Sequence, residues 1–85
     1  HLGLEDIVDH VLAQMGDVME IHLISDYAKG LDTGLIEVLL IGDKLNTDYI
    51  TNLEQKIEKL IERKVQFIIS NRKATDQNSI LLYQR

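Results

Sequence analysis

The sequence predicts a small domain of the α/β (α+β) class, with a mixed β-sheet and helices mainly on one face. Two segments, residues 4–15 and 46–64, carry apolar side chains at helical spacing. Short apolar segments between and after them have the pattern of strands. The strand–helix–strand passage over residues 35–70 requires a parallel crossover. With 85 residues, the chain is long enough for one domain and too short for two.

Two helices of several turns are expected. The first spans residues 4–15 and ends at Gly16, a residue that commonly terminates helices. The second spans residues 46–64, with Asn46 or Thr47 as its N-cap and basic side chains in its last turn. Its apolar stripe is too short for a coiled-coil seam. We therefore expect this helix to pack on a core.

The first two predicted strands differ in their polarity patterns. Residues 18–25 alternate, which places Met19 on the same face as Leu23 and gives the strand one wetter face. Residues 35–41 are almost continuously apolar, as in a central strand that is covered on both sides. Glu37 is the one charge in this second strand.

The remaining segments complete the element order. Residues 26–33 contain a short helical turn, residues 65–70 and 80–83 are strands, and residues 71–79 form a polar loop. The predicted order is α-β-(short α)-β-α-β-β. Because the long helices lie mainly on one face of the sheet, the other face is open for a site or a partner.

Composition narrows the classes of function. The net charge is −5, with −7 over residues 1–44 and +2 over residues 45–85, so direct nucleic-acid binding by this domain is not expected. There are no cysteines and no apolar run of membrane-spanning length, and we expect no membrane association and a cytoplasmic location. The chain begins at His1 rather than Met, which indicates a fragment of a longer protein.

The stretch "ISDYAKGLDTGLIEVLLIG" resembles the signature of the polymerase-beta-type nucleotidyltransferase superfamily. In that family a strand ends in Gly-Ser, a short helix carries a small residue and Arg or Lys before Gly, and the next strand bears two carboxylates at i and i+2. Ala28, Lys29 and Gly30 match the middle part. The chain is most similar to nucleotidyltransferase-like domains that follow a winged helix in ArsR-like transcriptional regulators, which implies an N-terminal DNA-binding domain in the full-length protein.

Catalysis in that family needs divalent metals held by oxygen ligands. The resemblance places the paired acid positions at Leu35 and Glu37 and the third acid at Gln66, so only one carboxylate remains. It places the family's Gly-Ser on Ser25-Asp26, where a carboxylate would repel a triphosphate and the glycine is lost. We expect neither a metal site nor a cofactor.

Six residues form the remnant cleft that the resemblance implies: Ser25, Asp26, Lys29, Glu37, Gln66 and His22. Each also has a plainer interpretation. Glu37 can be solvated or hydrogen-bonded at the open face. His22 is expected to be a surface histidine, because two ligands without a third make a poor metal site. Lys29 can contact an anion, or pair with Asp26 or Asp32.

Basic residues of the second half could form a nucleic-acid-binding patch, but we expect a solvated face of mixed charge instead. Glu54, Glu58 and Glu62 lie on the same long helix as several of these bases, and no aromatic residues are interleaved with the bases. These bases are Lys56, Lys59, Arg63, Lys64, Arg72 and Lys73.

The sequence thus indicates a non-catalytic nucleotidyltransferase-like domain of a transcriptional regulator, acting in ligand sensing, dimerisation or protein contact. One alternative is a divergent, antitoxin-like minimal nucleotidyltransferase that uses Glu37. Another is a simple oligomerisation module. A homodimer is compatible with the first and the last of these.

Overall fold

A computed structural model describes residues 3–71 and 79–85 of the chain. The described elements follow the predicted order, and of the predicted loop only residues 71 and 79 lie within the described part. The elements are α1 (Leu4–Met15), β1 (Asp17–Ile24), α2 (Ser25–Ala28), β2 (Leu35–Asp43), α3 (Thr47–Ile61), β3 (Lys64–Ser70) and β4 (Ile80–Gln84).

The four described strands form one mixed sheet in the order β3-β2-β1-β4. β2 and β3 run parallel, with α3 as the crossover between them, as the sequence predicts. β1 lies antiparallel to both β2 and β4. In the described part of the chain, β3 and β4 are therefore the edge strands.

The core lies between the sheet and the two long helices. Met15 of α1 and Ile50 of α3 are both buried against the same face of β1 and β2, which confirms that the helices lie mainly on one face. Leu40 at the middle of β2 is completely buried. The buried cluster comprises Met15, Val18, Val38, Leu40 and Ile50.

A β-bulge changes the alternation that the sequence predicts for β1. The register with β2 shifts between Val18 and Glu20, so one extra residue is accommodated there. Val18 is buried as a result, whereas Met19 is 45% exposed. The prediction that Met19 shares the face of Leu23 is therefore wrong, and Val18 takes that place in the core.

The long helix is shorter than predicted. Asn46 is its N-cap, and the side-chain oxygen accepts a hydrogen bond from the Tyr49 N–H at 3.1 Å. The helix ends at Ile61 because Glu62 adopts a left-handed conformation, with φ of 57°, and Lys64 already belongs to β3. None of the helices in the described ranges combines the length and the hydrophobicity needed to cross a lipid bilayer.

Gly42 on β2 lies where β1 approaches too closely for a side chain. A Cβ atom at this position would clash with the carbonyl oxygen of Asp17, which is backbone and can move only with its strand. We expect Gly42→Ala to lower the free energy of unfolding by about 1–3 kcal/mol, as overpacking does. Urea denaturation measures this change. Gly3→Ala is the control for steric effects, because a Cβ there would make only an ordinary contact, and it should lose no more than about 1 kcal/mol through the weaker N-cap of α1. A loss at Gly3 as large as that at Gly42 would contradict the prediction.

Candidate functional site

A hydrogen bond between two residues of the predicted cleft joins the first residue of α2 to β2. The Ser25 hydroxyl donates to Oε2 of Glu37 at 2.9 Å, and both side chains are half-buried. The strand register explains the contact, because Ile24, the residue before Ser25, lies opposite Glu37. The carboxylate is thus held by a neighbour rather than left in solvent.

Ser25 also has an unusual backbone. Its φ is 62°, in the left-handed region that glycine adopts readily and other residues rarely occupy. This is the position at which the family resemblance places a glycine. The chain therefore turns sharply between β1 and α2 without the residue type that favours such a turn.

The three positions aligned with family acids lie on one face of the sheet. Ile36 and Val38 contact the helix-side core, so Leu35 and Glu37 face the opposite way. The parallel register places Gln66 of β3 directly beside Glu37 and Lys64 beside Leu35. Lys64 was counted only among the surface bases in the sequence interpretation. Its place beside Leu35 follows from the β2–β3 register, which the sequence does not specify.

His22 is buried, which contradicts the prediction of a surface histidine. It is 7% exposed, and its Nε2 atom lies 2.9 Å from Oε1 of Glu20. The reason is the sheet order: β1 is a central strand, and His22 lies between Leu39 of β2 and Leu81 of β4. Within residues 3–71 and 79–85, the Nδ1 atom has no hydrogen-bond partner.

Asp26 lies on α2 and Lys29 directly follows this helix; both residues are exposed, and the Lys29 backbone N–H donates to the Asp26 carbonyl at 3.0 Å. Asp32 pairs with Arg63 instead of Lys29: the guanidinium Nε lies 3.0 and 3.2 Å from the two carboxylate oxygens. The hydrogen bond from Arg63, helped by the Gly34 N–H, lowers the pKa of Asp32, and the same hydrogen bond raises the pKa of Arg63. This ion pair ties the loop before β2 to the end of α3.

Comparison with solved structures finds a similar fold. A crystal structure of the toxin–antitoxin pair MntA-HpeT, in a mutant form, contains a chain that matches with a TM-score of 0.64, covering 98% of this chain and 74% of that one. The fold is nucleotidyltransferase-like. At 15% sequence identity, the likeness concerns the fold alone. No family model and no curated protein sequence matches the chain.

Of the three positions that the resemblance assigns to acids, one holds a carboxylate in this chain. Glu37 is flanked by Leu35 along its own strand and by Gln66 on the next. Across the described ranges, no three His, Asp or Glu side chains lie close enough together to hold a metal ion. One carboxylate beside a leucine and an amide does not fit the two-metal centre that the resemblance implies.

The helix side of the sheet contains an apolar cavity of about 270 Å³ between α1, α3 and the strands. No polar side chain lines it, so this region offers no group for acid–base or metal chemistry. The sequence interpretation missed this open pocket, because it forms only when the helices pack on the sheet. The lining residues are Ile7, Val8, Val11, Leu12, Met15, Ile21, Leu53, Ile57 and Phe67.

Two substitutions at Ser25 separate its hydrogen bond from its backbone strain. Ser25→Ala removes the hydrogen bond to Glu37 and keeps the left-handed backbone. We expect the lost hydrogen bond to lower the free energy of unfolding by about 0.5–1.5 kcal/mol. Ser25→Gly removes the same bond but relieves a strain of about 1 kcal/mol. Urea unfolding should therefore find the glycine variant more stable than the alanine variant. The reverse ranking would rule out a strained left-handed turn at this residue.

The Asp32–Arg63 pair predicts a dependence of stability on pH. Because the folded-state pKa of Asp32 lies below its ordinary value of 3.8, the pair stabilises the fold above that pH, and the contribution is lost as the pH falls through the lower, folded-state value. Unfolding curves between pH 7 and pH 2 should show the wild type losing its advantage over Asp32→Asn in acid. High salt should diminish the same advantage at pH 7, because the pair is exposed. A difference that stays constant with pH would contradict this account.

Proposed function

We propose that this chain is a non-catalytic nucleotidyltransferase-like domain that serves a transcriptional regulator through protein contact, dimerisation or ligand sensing. The observation that supports the proposal is the surroundings of the Glu37 carboxylate. It is a lone carboxylate among the three aligned positions, and it already accepts a hydrogen bond from Ser25. The fold and the chemistry of the family have separated in this chain.

The argument against catalysis starts from the metal. Magnesium gives up its water ligands reluctantly and is usually bound through carboxylates together with substrate phosphates. Leu35 offers no oxygen ligand, and Gln66 offers at most a neutral amide oxygen. Lys64 adds a positive charge beside Leu35 on the same face of the sheet. These neighbours weaken the attraction of a cation to Glu37.

The turn that would receive a triphosphate is altered as well. Asp26 lies in the first turn of α2, directly after Ser25, and its side chain is exposed. A carboxylate at this place repels the polyphosphate of a nucleotide. The substitutions therefore affect two separate requirements of nucleotidyl transfer, which are metal binding and triphosphate binding.

The role in a regulator rests on the family resemblance. The winged-helix regulators that this chain resembles carry such a domain after their DNA-binding module. We propose the same domain order for this protein, and a cytoplasmic location. DNA binding would then belong to the N-terminal module. The acidic first half of this chain, with a charge of −7 over residues 1–44, is unsuited to binding a phosphate backbone.

Calorimetric titration with ATP in the presence of Mg²⁺ or Mn²⁺ tests the proposal directly. We expect no saturable binding at micromolar nucleotide and no transfer of AMP or phosphate to protein acceptors. Glu37→Ala serves as the reference variant and should behave like the wild type in both assays. Micromolar binding together with transfer that Glu37→Ala abolishes would overturn the proposal.

Restoring the missing acids tests the assignment of the three positions. In the double variant L35D/Q66D, three carboxylates would face the same side of β2 and β3 and repel one another. Mn²⁺ should relieve this repulsion and raise the melting temperature of the double variant. The control L35N/Q66N has side chains of the same size without the charges and should not respond. Equal responses of the two variants would refute the assignment.

A minimal, antitoxin-like nucleotidyltransferase is the second candidate. It is favoured by the likeness of the fold to a chain of the MntA-HpeT toxin–antitoxin structure, and by the retention of Glu37 beside a left-handed turn at Ser25. Such an enzyme would have to assemble its metals with one protein carboxylate. The transfer assay with Glu37→Ala distinguishes the two candidates.

A further inference from the structure

The first helix is fixed to the rest of the fold at one end and stands away from it at the other. Met15 at the end of α1 is buried, and its carbonyl accepts a hydrogen bond from the Asn46 N–H at 2.8 Å. Ile7 and Val8, about two turns earlier, are 49 and 45% exposed although they line the same apolar pocket as Met15. The pocket between α1, α3 and the sheet is therefore closed toward Met15 and open toward Ile7 and Val8.

Neither the described side chains nor water fill this pocket favourably. Its volume is about 270 Å³, whereas packed protein interiors contain few voids larger than a water molecule. A buried water needs about two to four polar partners. None of the described lining residues has a polar side chain. An apolar molecule would therefore gain contacts in this pocket that water cannot make.

We propose that the pocket binds a small, uncharged, hydrocarbon-like molecule with one substituted aromatic ring or two fused rings. Its volume sets the size of the ligand: an apolar cavity of about 150 Å³ holds benzene, so about 270 Å³ leaves room for alkyl groups or a second ring. Its lining sets the polarity, because a charge or a hydroxyl group would be buried without a partner. Phe67 adds an aromatic surface among aliphatic side chains, which favours a flat ring.

The same dimensions argue against a segment of protein as the occupant. A helix with its side chains is about 10–12 Å across, so it would have to separate α1 from α3 to enter. An extended strand would bring backbone N–H and carbonyl groups to a lining that cannot pair with them. The exposed mouth, by contrast, lets a small molecule enter beside Ile7 and Val8 without separating the two helices.

This ligand class specifies the ligand sensing in the proposed function, and the pocket rests on that proposal only for its biological role. A bound molecule adds contacts between α1, α3 and the sheet, and it stabilises the folded chain once its concentration exceeds the dissociation constant. Nucleotide transfer would overturn the non-catalytic assignment and leave the pocket intact. A chain that binds no apolar molecule would overturn the ligand class and leave the non-catalytic assignment intact.

Calorimetric titration of the 85-residue chain with toluene and with phenol tests the polarity of the pocket. The two probes have nearly the same size, and a methyl group in one replaces a hydroxyl group in the other. We expect saturable toluene binding with a dissociation constant on the order of 0.1–1 mM. Phenol should bind at least about tenfold more weakly, because its hydroxyl would lose water without gaining a partner. Absence of saturable toluene binding, or equal affinity for the two probes, overturns the proposal.

A substitution at the mouth tests where the toluene binds. Val8→Trp puts a large side chain into the mouth, and we expect it to weaken toluene binding at least about tenfold, because the ring then occupies the space of the ligand. Leu31→Trp is the matched control, since Leu31 is 54% exposed in the loop before β2 and does not line the pocket. It should bind toluene like the wild type. Equal affinities of the two variants would contradict binding at this pocket.

Methyl NMR of the wild type decides the matter if Val8→Trp fails to fold, as judged by circular dichroism. Toluene should shift the methyl signals of Val11 and Leu12, which line the pocket, and leave those of the exposed Leu31 and Leu82 in place. Sedimentation velocity on the same samples measures the oligomeric state. Equal shifts at all four residues overturn the proposal. So does a self-associated chain that toluene disperses, as a second copy seated on the pocket would give.

Discussion

The burial of β2 is the constraint on which the rest of the structure depends. This strand lies between β1 and β3 and under both long helices, and Leu40 at its middle is completely buried. Because strand side chains alternate, fixing Val38 and Leu40 toward the helices turns Glu37 to the opposite face of the sheet. The position of Glu37 beside Ser25 and Gln66 is therefore a consequence of packing on the opposite side of the sheet.

Local patterns predicted the elements well, and tertiary context explains the failures. The apolar periodicities gave the element order and the parallel crossover. The bulge at Met19 could not be predicted, because an inserted strand residue has no pattern of its own. The burial of His22 depends on β4 pairing outside β1, a long-range event. Likewise, Glu54 and Glu58 have the spacing of a solvated helix face, and only the path of α3 beside β3 makes them strand partners.

The faces of the candidate-site residues on β2 could be predicted from the sequence, but their contacts could not. The i and i+2 relation of Leu35 and Glu37 follows from strand geometry alone. The neighbours Gln66 and Lys64 required the register between β2 and β3, which a one-residue slip would have reversed. The left-handed Ser25 is also informative: a strained turn persists when the structure around it determines the backbone path. Here β1 and β2 determine that path, because Ile24, the residue before Ser25, is paired with Glu37 of β2.

The edges of the sheet are subject to a different constraint. An exposed edge strand has to avoid uncontrolled pairing with other chains. At β3 the carboxylates of α3 meet that requirement within the chain. At β4 the described strand carries no charge, and the register shift opposite Ile21 and His22 places a bulge in it, which disturbs the regular row of backbone groups that another strand would need.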